Sequence, residues 1–277
     1  MAGALRTRFL KDDFGVEILD VDLNEASDET FGEIADIYRR NSVLLIRNQN
    51  LSPDTLLRFS SCFGPLVPHT RDEYTLPGYP TIYVLSNKVV NGKPIGIHRD
   101  GIGWHTDGSY LQRPLITTLL YALETPLEGG DTRFADTCGA YEALDEEDKR
   151  KYGELEVLHS FTYLMENREY GRAAVTPEQK AKTPEAVHPL VLTRPHDGKK
   201  SLYLSLGTAQ EVVGYEPEEG REIVRRLADF ATQPEFVYAH KWKAGDLVAW
   251  NNLCTLHCAS LYDDMKYERL VYRVWID

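Results

Sequence analysis

The stretch GDLVAWNNLCTLHCAS (residues 245–260) opens with an apolar run rich in strand-forming residues, and a second such run, LVYRVWI (270–276), follows shortly after. Short apolar runs bounded by glycine and polar residues predict buried β-strands. Upstream runs of the same kind predict further strands at 16–23, 41–49, 81–86, 116–123, 155–161, 187–193, 201–205 and 236–242. Many short strands favour a barrel or jelly roll over a parallel α/β sheet.

Three segments interrupt the strands with helical periodicity. Residues 28–40 carry apolar side chains at helical spacing, and residues 51–64 offer Ser52 as an N-cap followed by Pro53 at the first helical position. Residues 216–231 form a third amphipathic pattern. No repeat or low-complexity linker divides the chain, so the sequence predicts one mainly β domain with flanking helices over 1–277.

Composition limits the classes of partner. The chain has 277 residues, 42% of them hydrophobic, which is enough for a substantial core. Its net charge of -12 repels nucleic acid and anionic membranes, so we expect neither as a partner. The N-terminal sequence has no signal-peptide pattern, and four cysteines in so long a chain do not indicate a disulfide framework. These features predict a cytoplasmic protein.

The segment WHTDGSY (104–110) places His105 and Asp107 two residues apart. If this segment is a strand, both side chains project from one face, which is chelating geometry. A His-x-Asp pair alone can be chance, but His257 follows the strand predicted at 245–250 and offers a third ligand. Two histidines and one carboxylate are typical of non-haem Fe(II) oxygenases. Cys254 and Cys258 flank His257, but they lack the paired spacing of structural zinc sites and are predicted to be buried thiols.

Two arginines on the last predicted strand indicate an acidic ligand. Arg269 and Arg273 are four residues apart, hence on one face of an apolar strand, where guanidinium groups need anionic partners. Surface salt bridges are the alternative. Thr132 follows a Gly-Gly pair and has a hydroxyl that can donate to a carboxylate, although such a position is also common in a simple turn.

Four motifs together resemble the taurine dioxygenase family, which includes the dichlorophenoxyacetate dioxygenases and alkylsulfatases. Their order and spacing are similar to those of the family, and the resemblance extends from about residue 8 to residue 277. The motifs are WHTDGSY, ETPLEGGDTRFAD, KWKAGDLVAWNNLCTLH and RLVYR. The resemblance implies a double-stranded β-helix (jelly-roll, cupin-like) core and an enzyme that uses Fe(II), 2-oxoglutarate and O2 to oxidise an unactivated C–H bond.

The resemblance also implies roles for individual residues. The iron ligands it implies are His105, Asp107 and His257, and the pair implied for the distal carboxylate of 2-oxoglutarate is Thr132 and Arg269. Arg273 and His69 match family positions that contact the substrate. Related halogenases have a small residue in place of Asp107, so its presence implies oxygenation rather than halogenation.

The sequence differs from the family pattern at two places. Asn251 stands where many members have an aspartate, which affects the expected tuning of the distal histidine. Gly101 stands where an asparagine is common, and the Gly-rich segment 91–103 around it is predicted to be a loop over the site or a plain surface loop. Within it, His98 and Arg99 are candidate substrate contacts.

The expected reaction is hydroxylation of a small anionic substrate, such as a sulfonate, sulfate ester or phenoxyalkanoate, or oxidative cleavage after hydroxylation, with release of succinate and CO2. The alternative is a tailoring oxygenase that hydroxylates, desaturates or cyclises a larger or carrier-linked natural product. A non-catalytic jelly-roll binding protein would have no reason to keep all three ligands and Thr132. Similar proteins are often dimers or tetramers, so a homo-oligomer is expected.

Overall fold

The computed structural model describes residues 5–170 and 172–277. The strands are β1 (Arg6–Lys11), β2 (Phe14–Leu19), β3 (Val43–Ile46), β4 (Leu66–Val67), β5 (Thr75–Leu76), β6 (Tyr79–Ser86), β7 (Val89–Val90), β8 (Lys93–Pro94), β9 (Thr117–Glu124), β10 (Thr132–Asp136), β11 (Glu156–His159), β12 (Ala186–Pro189), β13 (Val191–Thr193), β14 (Lys200–Leu202), β15 (Ala209–Val212), β16 (Val237–His240), β17 (Leu247–Asn251), β18 (Thr255–Ala259) and β19 (Leu270–Ile276).

The α-helices are α1 (Asp28–Asn41), α2 (Pro53–Ser60), α3 (Thr137–Ala143), α4 (Glu146–Tyr152), α5 (Phe161–Asn167), α6 (Pro177–Lys182) and α7 (Pro217–Ala231). Two short 3-10 helices cover Asp72–Tyr74 and Pro234–Phe236. As predicted, the Ser52 side chain caps α2 by accepting a hydrogen bond from the backbone N–H of Thr55. No helix in the described part of the chain is both long and apolar enough to cross a membrane.

The large sheet has the strand order β1-β2-β3-β17-β9-β19-β6-β5, with β4 also paired to β19. Only β2 and β3 pair in parallel among its strands. Alternate residues of its central strands face opposite sides. On β9, Leu119 and Tyr121 join a core cluster with α1 and α2, whereas Leu120 and Ala122 join a second cluster on the opposite face. The sheet is therefore buried on both sides.

The inner face of the large sheet packs against a three-stranded sheet of order β16-β10-β18. Phe134 of β10 and Trp250 of β17 share the core cluster between the two sheets, with their ring centroids 5.2 Å apart. A third cluster joins α3 and α7 to the outer part of the fold. Two sheets around a shared core, with helices outside, agree with the predicted mainly β fold.

Several predicted elements differ from the observed ones. The segment around His105 and Asp107 is not a strand, because it forms only one isolated bridge, from His105 to His257. The strand predicted over 187–193 is two strands, β12 and β13, since the chain leaves the first sheet at Leu190 and the backbone N–H of Tyr203 bonds to its carbonyl. The predicted strand over 155–161 ends early because Ser160 caps α5.

Candidate metal centre and active site

Three side chains converge on one point between the two sheets. His105, Asp107 and His257 each offer a ligand atom, and these atoms lie within 4.8 Å of one another. The Nε2 atom of His105 is 3.8 Å from Asp107 Oδ1, and that of His257 is 3.7 Å from Asp107 Oδ2. Two imidazoles on either side of one carboxylate can occupy one face of a metal ion.

Backbone pairing fixes the two histidines beside each other. The N–H of His105 donates to the carbonyl of His257 at 3.0 Å, and the N–H of His257 donates back at 2.8 Å. This exchange keeps the ring centroids 4.1 Å apart. His105 Nδ1 lies 2.8 Å from the carbonyl of Gly103, so this nitrogen donates and Nε2 is free to ligate. A single antiparallel bridge therefore positions His105 beside His257, although the segment does not form a strand.

Asp107 is held by a chain of buried hydrogen bonds. The hydroxyl of Thr118 donates to Asp107 Oδ2 at 2.7 Å, and Asn252 Nδ2 donates to that hydroxyl at 3.0 Å. The indole N–H of Trp250 donates to Asn252 Oδ1 at 3.0 Å. Asn251 instead accepts from the backbone N–H of Leu253. Asn252 rather than Asn251 is thus the residue linked to a candidate ligand.

Electrostatics keep the ligand atoms in the forms that bind a metal. Burial, with the neighbouring His105 charge, lowers the pKa of His257 to about 3, so its imidazole is neutral near pH 7. Burial alone would raise the pKa of Asp107, but His257, Arg273 and His105 together lower it to about 2. Neutral nitrogen and ionised oxygen ligands suit Fe(II). The Nδ1 atom of His257 is buried and has no hydrogen-bond partner among the described residues.

Thr132 and Arg269 line a small cavity that opens beside the triad. Thr132 lies on β10, and Phe134 of that strand pairs with His257 of β18, so Thr132 and His257 face the same side. The Thr132 hydroxyl accepts a hydrogen bond from the indole N–H of Trp242 at 2.9 Å. The Arg269 guanidinium makes no ion pair with any described residue.

Arg273 lines this small cavity as well, and it also lies in the wall of a larger cavity of about 320 Å³. Its guanidinium carbon is 4.7 Å from the Tyr83 ring centroid and 5.0 Å from that of Trp275. His69 packs on the same two rings. Both ring nitrogens of His69, Nε of Arg273 and Nε1 of Trp275 are buried without a partner in the described chain. Arg269 and Arg273 therefore both line the small cavity beside the triad, and Arg273 also lines the large one.

His98 and Arg99 are held away from the large cavity's centre. His98 Nε2 lies 2.8 Å from Asp264 Oδ2, and Arg99 pairs with the same oxygen at 2.7 Å. His98 lines only a smaller cavity on the Arg269 side, whereas Arg99 also reaches the rim of the large one, 5.4 Å from the Tyr170 ring. The structure thus gives both His98 and Arg99 a carboxylate partner, Asp264.

Two charged residues of the site escaped the sequence reasoning. Asp100 lines the large cavity and pairs with Arg273 at 3.2 Å and with Arg168 at 2.9 Å. Asp100 lies in the Gly-rich segment 91–103, directly after the two candidate substrate contacts His98 and Arg99, and this position was the signal that could have identified it. Arg168 follows α5 far along the chain, and no local pattern connects it to the triad. Cys254 and Cys258 are buried thiols, as predicted.

Comparisons with known proteins identify the family of this chain. Residues 6–275 match the family model described as Taurine catabolism dioxygenase TauD, TfdA family. The alpha-ketoglutarate-dependent 2,4-dichlorophenoxyacetate dioxygenase of Cupriavidus pinatubonensis is 35% identical over 90% of this chain and 90% of its own length. The pentalenolactone F synthase of Streptomyces arenae is 32% identical over 83% of this chain and 80% of its own.

The fold is also that of solved structures. The crystal structure of AAD-2 in complex with Mn(II) and N-oxalylglycine superposes with a TM-score of 0.83 at 30% identity, over 98% of this chain and 96% of that one. This likeness confirms the predicted fold class of a jelly-roll core with flanking helices. The chain therefore belongs to the TauD/TfdA family of Fe(II)- and 2-oxoglutarate-dependent dioxygenases.

Proposed function

We propose that the enzyme hydroxylates a small organic anion, such as a sulfonate, sulfate ester or phenoxyalkanoate, or cleaves it oxidatively after hydroxylation. In this proposal His105, Asp107 and His257 hold the iron. Fe(II) bound there, together with 2-oxoglutarate and dioxygen, would supply the oxidising power for an unactivated C–H bond, with succinate and CO2 as the products of the cosubstrate. The chain's own residues bind, orient and shield the reactants.

One observation carries the proposal for the substrate. A buried cluster of nitrogen atoms without partners, on His69, Arg273 and Trp275, lies in the wall of the large cavity next to the triad. Buried donors are costly unless a ligand satisfies them. Because a guanidinium can pair bidentately with a planar acid, an anionic group placed here would satisfy several of these atoms at once.

The two adjoining cavities divide the binding roles. We assign Arg269 and Thr132 to the distal carboxylate of 2-oxoglutarate, because both line the small cavity and Arg269 has no ion-pair partner in the described chain. Arg273, with His69, holds the anionic end of the substrate in the large cavity. Anchoring both molecules by their acidic ends fixes which substrate carbon lies nearest the metal.

The remaining wall of the large cavity is apolar on one side. Phe161, Leu164 and Met165 of α5 line it, together with Leu206. A charged anchor opposite an apolar surface suits an organic acid with a hydrophobic body, and the phenoxyalkanoates have this form. Such a wall also excludes water from the reacting carbon.

Succinate release tests this proposal. The wild-type enzyme, reconstituted anaerobically with Fe(II), is given 2-oxoglutarate, oxygen and a panel of sulfonates, sulfate esters, phenoxyalkanoates and amino acids. We expect one anionic class to stimulate release strongly, and Arg273→Ala to lose that stimulation. Arg113→Ala, an exposed arginine outside the cavity, is the matched control. Stimulation that survives in Arg273→Ala would reject the assigned substrate anchor.

The similarity to a pentalenolactone F synthase favours a second candidate, a natural-product tailoring oxygenase. Such an enzyme would act on a larger or carrier-linked substrate, whose size and polarity the loops rather than the ligands select. If no small acid stimulates succinate release although iron and 2-oxoglutarate both bind, this candidate leads. Binding of free against carrier-linked acids then separates the two candidates.

Three further proposals rest on the sequence. The net charge of -12 argues against nucleic-acid and membrane partners. A cytoplasmic location follows from the same composition and from the four free thiols. A homodimer or homotetramer, with residues 1–277 as a single domain, is the assembly we propose, and sedimentation of the purified protein tests it.

A further inference from the structure

Asp100 joins two positive charges across the large cavity. Its Oδ1 accepts a hydrogen bond from Arg168 at 2.9 Å, and its Oδ2 accepts one from Arg273 at 3.2 Å. The side chain is only 17% exposed. A buried carboxylate therefore already contacts the arginine that we assign to the substrate anion.

The two partners of Asp100 come from opposite parts of the fold. Arg273 lies on β19 in the large sheet, whereas Arg168 follows α5 in the cavity's outer wall. Asp100 itself is held in place because the next residue, Gly101, accepts a hydrogen bond from the backbone N–H of Ala259 at 2.8 Å. Gly101 has a φ of +76°, and a Cβ there would lie 3.4 Å from the His105 ring. The loop thus positions the carboxylate beside the triad.

Asp100 is an anion in this environment. Burial alone would raise its pKa, but the charges of Arg273 and Arg168 lower the pKa below the ordinary value. The only other carboxylate near Arg273 in the described chain is that of Asp107, at 3.9 Å, which is a candidate metal ligand. Asp100 is consequently the carboxylate with which an incoming acidic group competes for Arg273.

The charges of the site indicate which anion fits. Within this group of contacting charges, Arg168 and Arg273 carry two positive charges and Asp100 one negative charge, which leaves one positive charge. Of the other charged residues in the cavity wall, Arg71 and Arg99 have carboxylate partners and Glu169 is exposed to solvent. Around the metal, Fe(II) and Arg269 balance the 2-oxoglutarate dianion and Asp107. A monoanion would therefore neutralise the substrate cavity, whereas a dianion would leave an uncompensated negative charge next to Asp100.

We propose that Asp100 makes the cavity selective for substrates that carry a single negative charge. Its carboxylate pairs with Arg273 before the substrate binds and remains paired with Arg168 afterwards. This inference rests on the proposed function, because it takes Arg273 as the anchor for the substrate. The proposed role and a purely structural role of Asp100 predict opposite changes in anion affinity when its charge is removed. Removing a competing negative charge should strengthen the binding of anions, whereas removing a structural ion pair should weaken it.

The test compares two anions of similar size in the enzyme loaded with Mn(II) and 2-oxoglutarate. Phenoxyacetate is the monoanion, and phenyl phosphate at pH 8 is the dianion. Tryptophan fluorescence reports binding, since Trp275 and Trp104 both line the cavity. We expect wild type to prefer phenoxyacetate, and Asp100→Asn to shift the ratio of the two dissociation constants about tenfold or more towards phenyl phosphate.

Two further variants sharpen the test. Arg168→Gln removes one of the two ion pairs of Asp100 and leaves only the pair with Arg273. We expect both anions to bind this variant more weakly. Asp197→Asn is the matched control, because Asp197 also pairs with an arginine, Arg194, but neither residue lines the large cavity, and its ratio should equal that of wild type. An unchanged ratio in Asp100→Asn, or weaker binding of both anions, would overturn the inference.

The same titrations separate this inference from the proposed function. If Arg273→Ala abolishes anion binding while Asp100→Asn leaves the ratio unchanged, the substrate anchor stands and the role of Asp100 is rejected. If wild type binds neither anion, or Arg273→Ala binds both as wild type does, the proposed anchor fails and this inference fails with it. Should Asp100→Asn not fold, the response of Arg168→Gln decides, because unchanged binding there contradicts the proposal.

Discussion

Thr132 illustrates how one hydrogen bond directs another at the residue scale. Its oxygen accepts from the indole N–H of Trp242 at 2.9 Å, so its single proton is left to donate elsewhere. Arg269 lines the same small cavity. In the proposed assignment, the threonine hydroxyl and the guanidinium both donate to one carboxylate of the cosubstrate, and Trp242 positions the threonine.

Trp242→Phe tests this arrangement. The ring volume is partly kept, but the donor to Thr132 is lost, so the hydroxyl is free to turn away from the cosubstrate. We expect the dissociation constant for 2-oxoglutarate to rise about fivefold, which corresponds to the ~1 kcal/mol of a typical hydrogen bond. Isothermal titration of the Mn(II)-loaded protein measures it. An unchanged dissociation constant in a folded variant would show that Trp242 only fills the core.

At the scale of elements, every second side chain of β9 and β19 faces the candidate site. Thr118 and Leu120 of β9 pair with Trp275 and Arg273 of β19, and all four face the inner side of the sheet. Their neighbours, such as Leu119, face the helices instead. The alternation of apolar and polar residues therefore separates the residues that bind from those that hold the sheet together.

Thr118→Val tests the link between β9 and the metal centre. The variant keeps the shape of the side chain but removes the hydroxyl that donates to Asp107. We expect metal affinity to fall about 10- to 100-fold, as is usual when a ligand loses its supporting hydrogen bond. Thr117→Val is the control: Thr117 bonds to Tyr38 on the opposite face, so it should lower stability without changing metal affinity. Equal metal affinities in the two variants would contradict the link.

The strand pattern of the sequence predicted the elements that form the sheets better than the local geometry of the site. Residues 270–276 form β19 as predicted, because an uninterrupted apolar run has few alternatives to a buried strand. His105 and Asp107 come together through a backbone bridge to His257, which depends on pairing across the fold. Asp100 and Arg168 likewise meet only in the tertiary structure. Local sequence patterns do not predict such long-range contacts.

At the scale of the whole molecule, buried histidines make the fold sensitive to acid. Burial, with a smaller effect of His188, lowers the pKa of His159 to about 3. The unfolded chain takes up this proton near pH 6.5, whereas the folded chain does not until about pH 3. Stability contributed by neutral His159 is therefore complete above pH 6.5 and declines as the pH falls between these values.

His159→Gln should reduce this dependence on pH. For one fully shifted histidine the free energy of unfolding changes by ~1.4 kcal/mol per pH unit, so the variant should lose stability less steeply than wild type between pH 6 and 4. Urea denaturation at several pH values measures the slope. His196→Gln, at an exposed histidine, is the control and should follow wild type. A variant slope equal to that of wild type would show that other groups dominate.

The candidate metal centre lies beside two adjoining cavities, for which we propose different anchors. We propose that Arg269 anchors 2-oxoglutarate in the small cavity and that Arg273, which lines both cavities, anchors the substrate in the large one. Both arginines lie in the last segment of the chain, and each lines a cavity that also contains His105 and Asp107. The separate roles that we propose for Arg269 and Arg273 can be measured directly.

The most direct measurement compares Arg269→Ala with Arg273→Ala for two Michaelis constants in the Fe(II)-reconstituted enzyme. With the best acceptor of the panel, we expect the constant for 2-oxoglutarate to rise more than tenfold only in Arg269→Ala, as the loss of a charged hydrogen bond predicts. The constant for the acceptor should rise similarly only in Arg273→Ala. Equal effects of both variants on both constants, or the reverse assignment, would contradict the account.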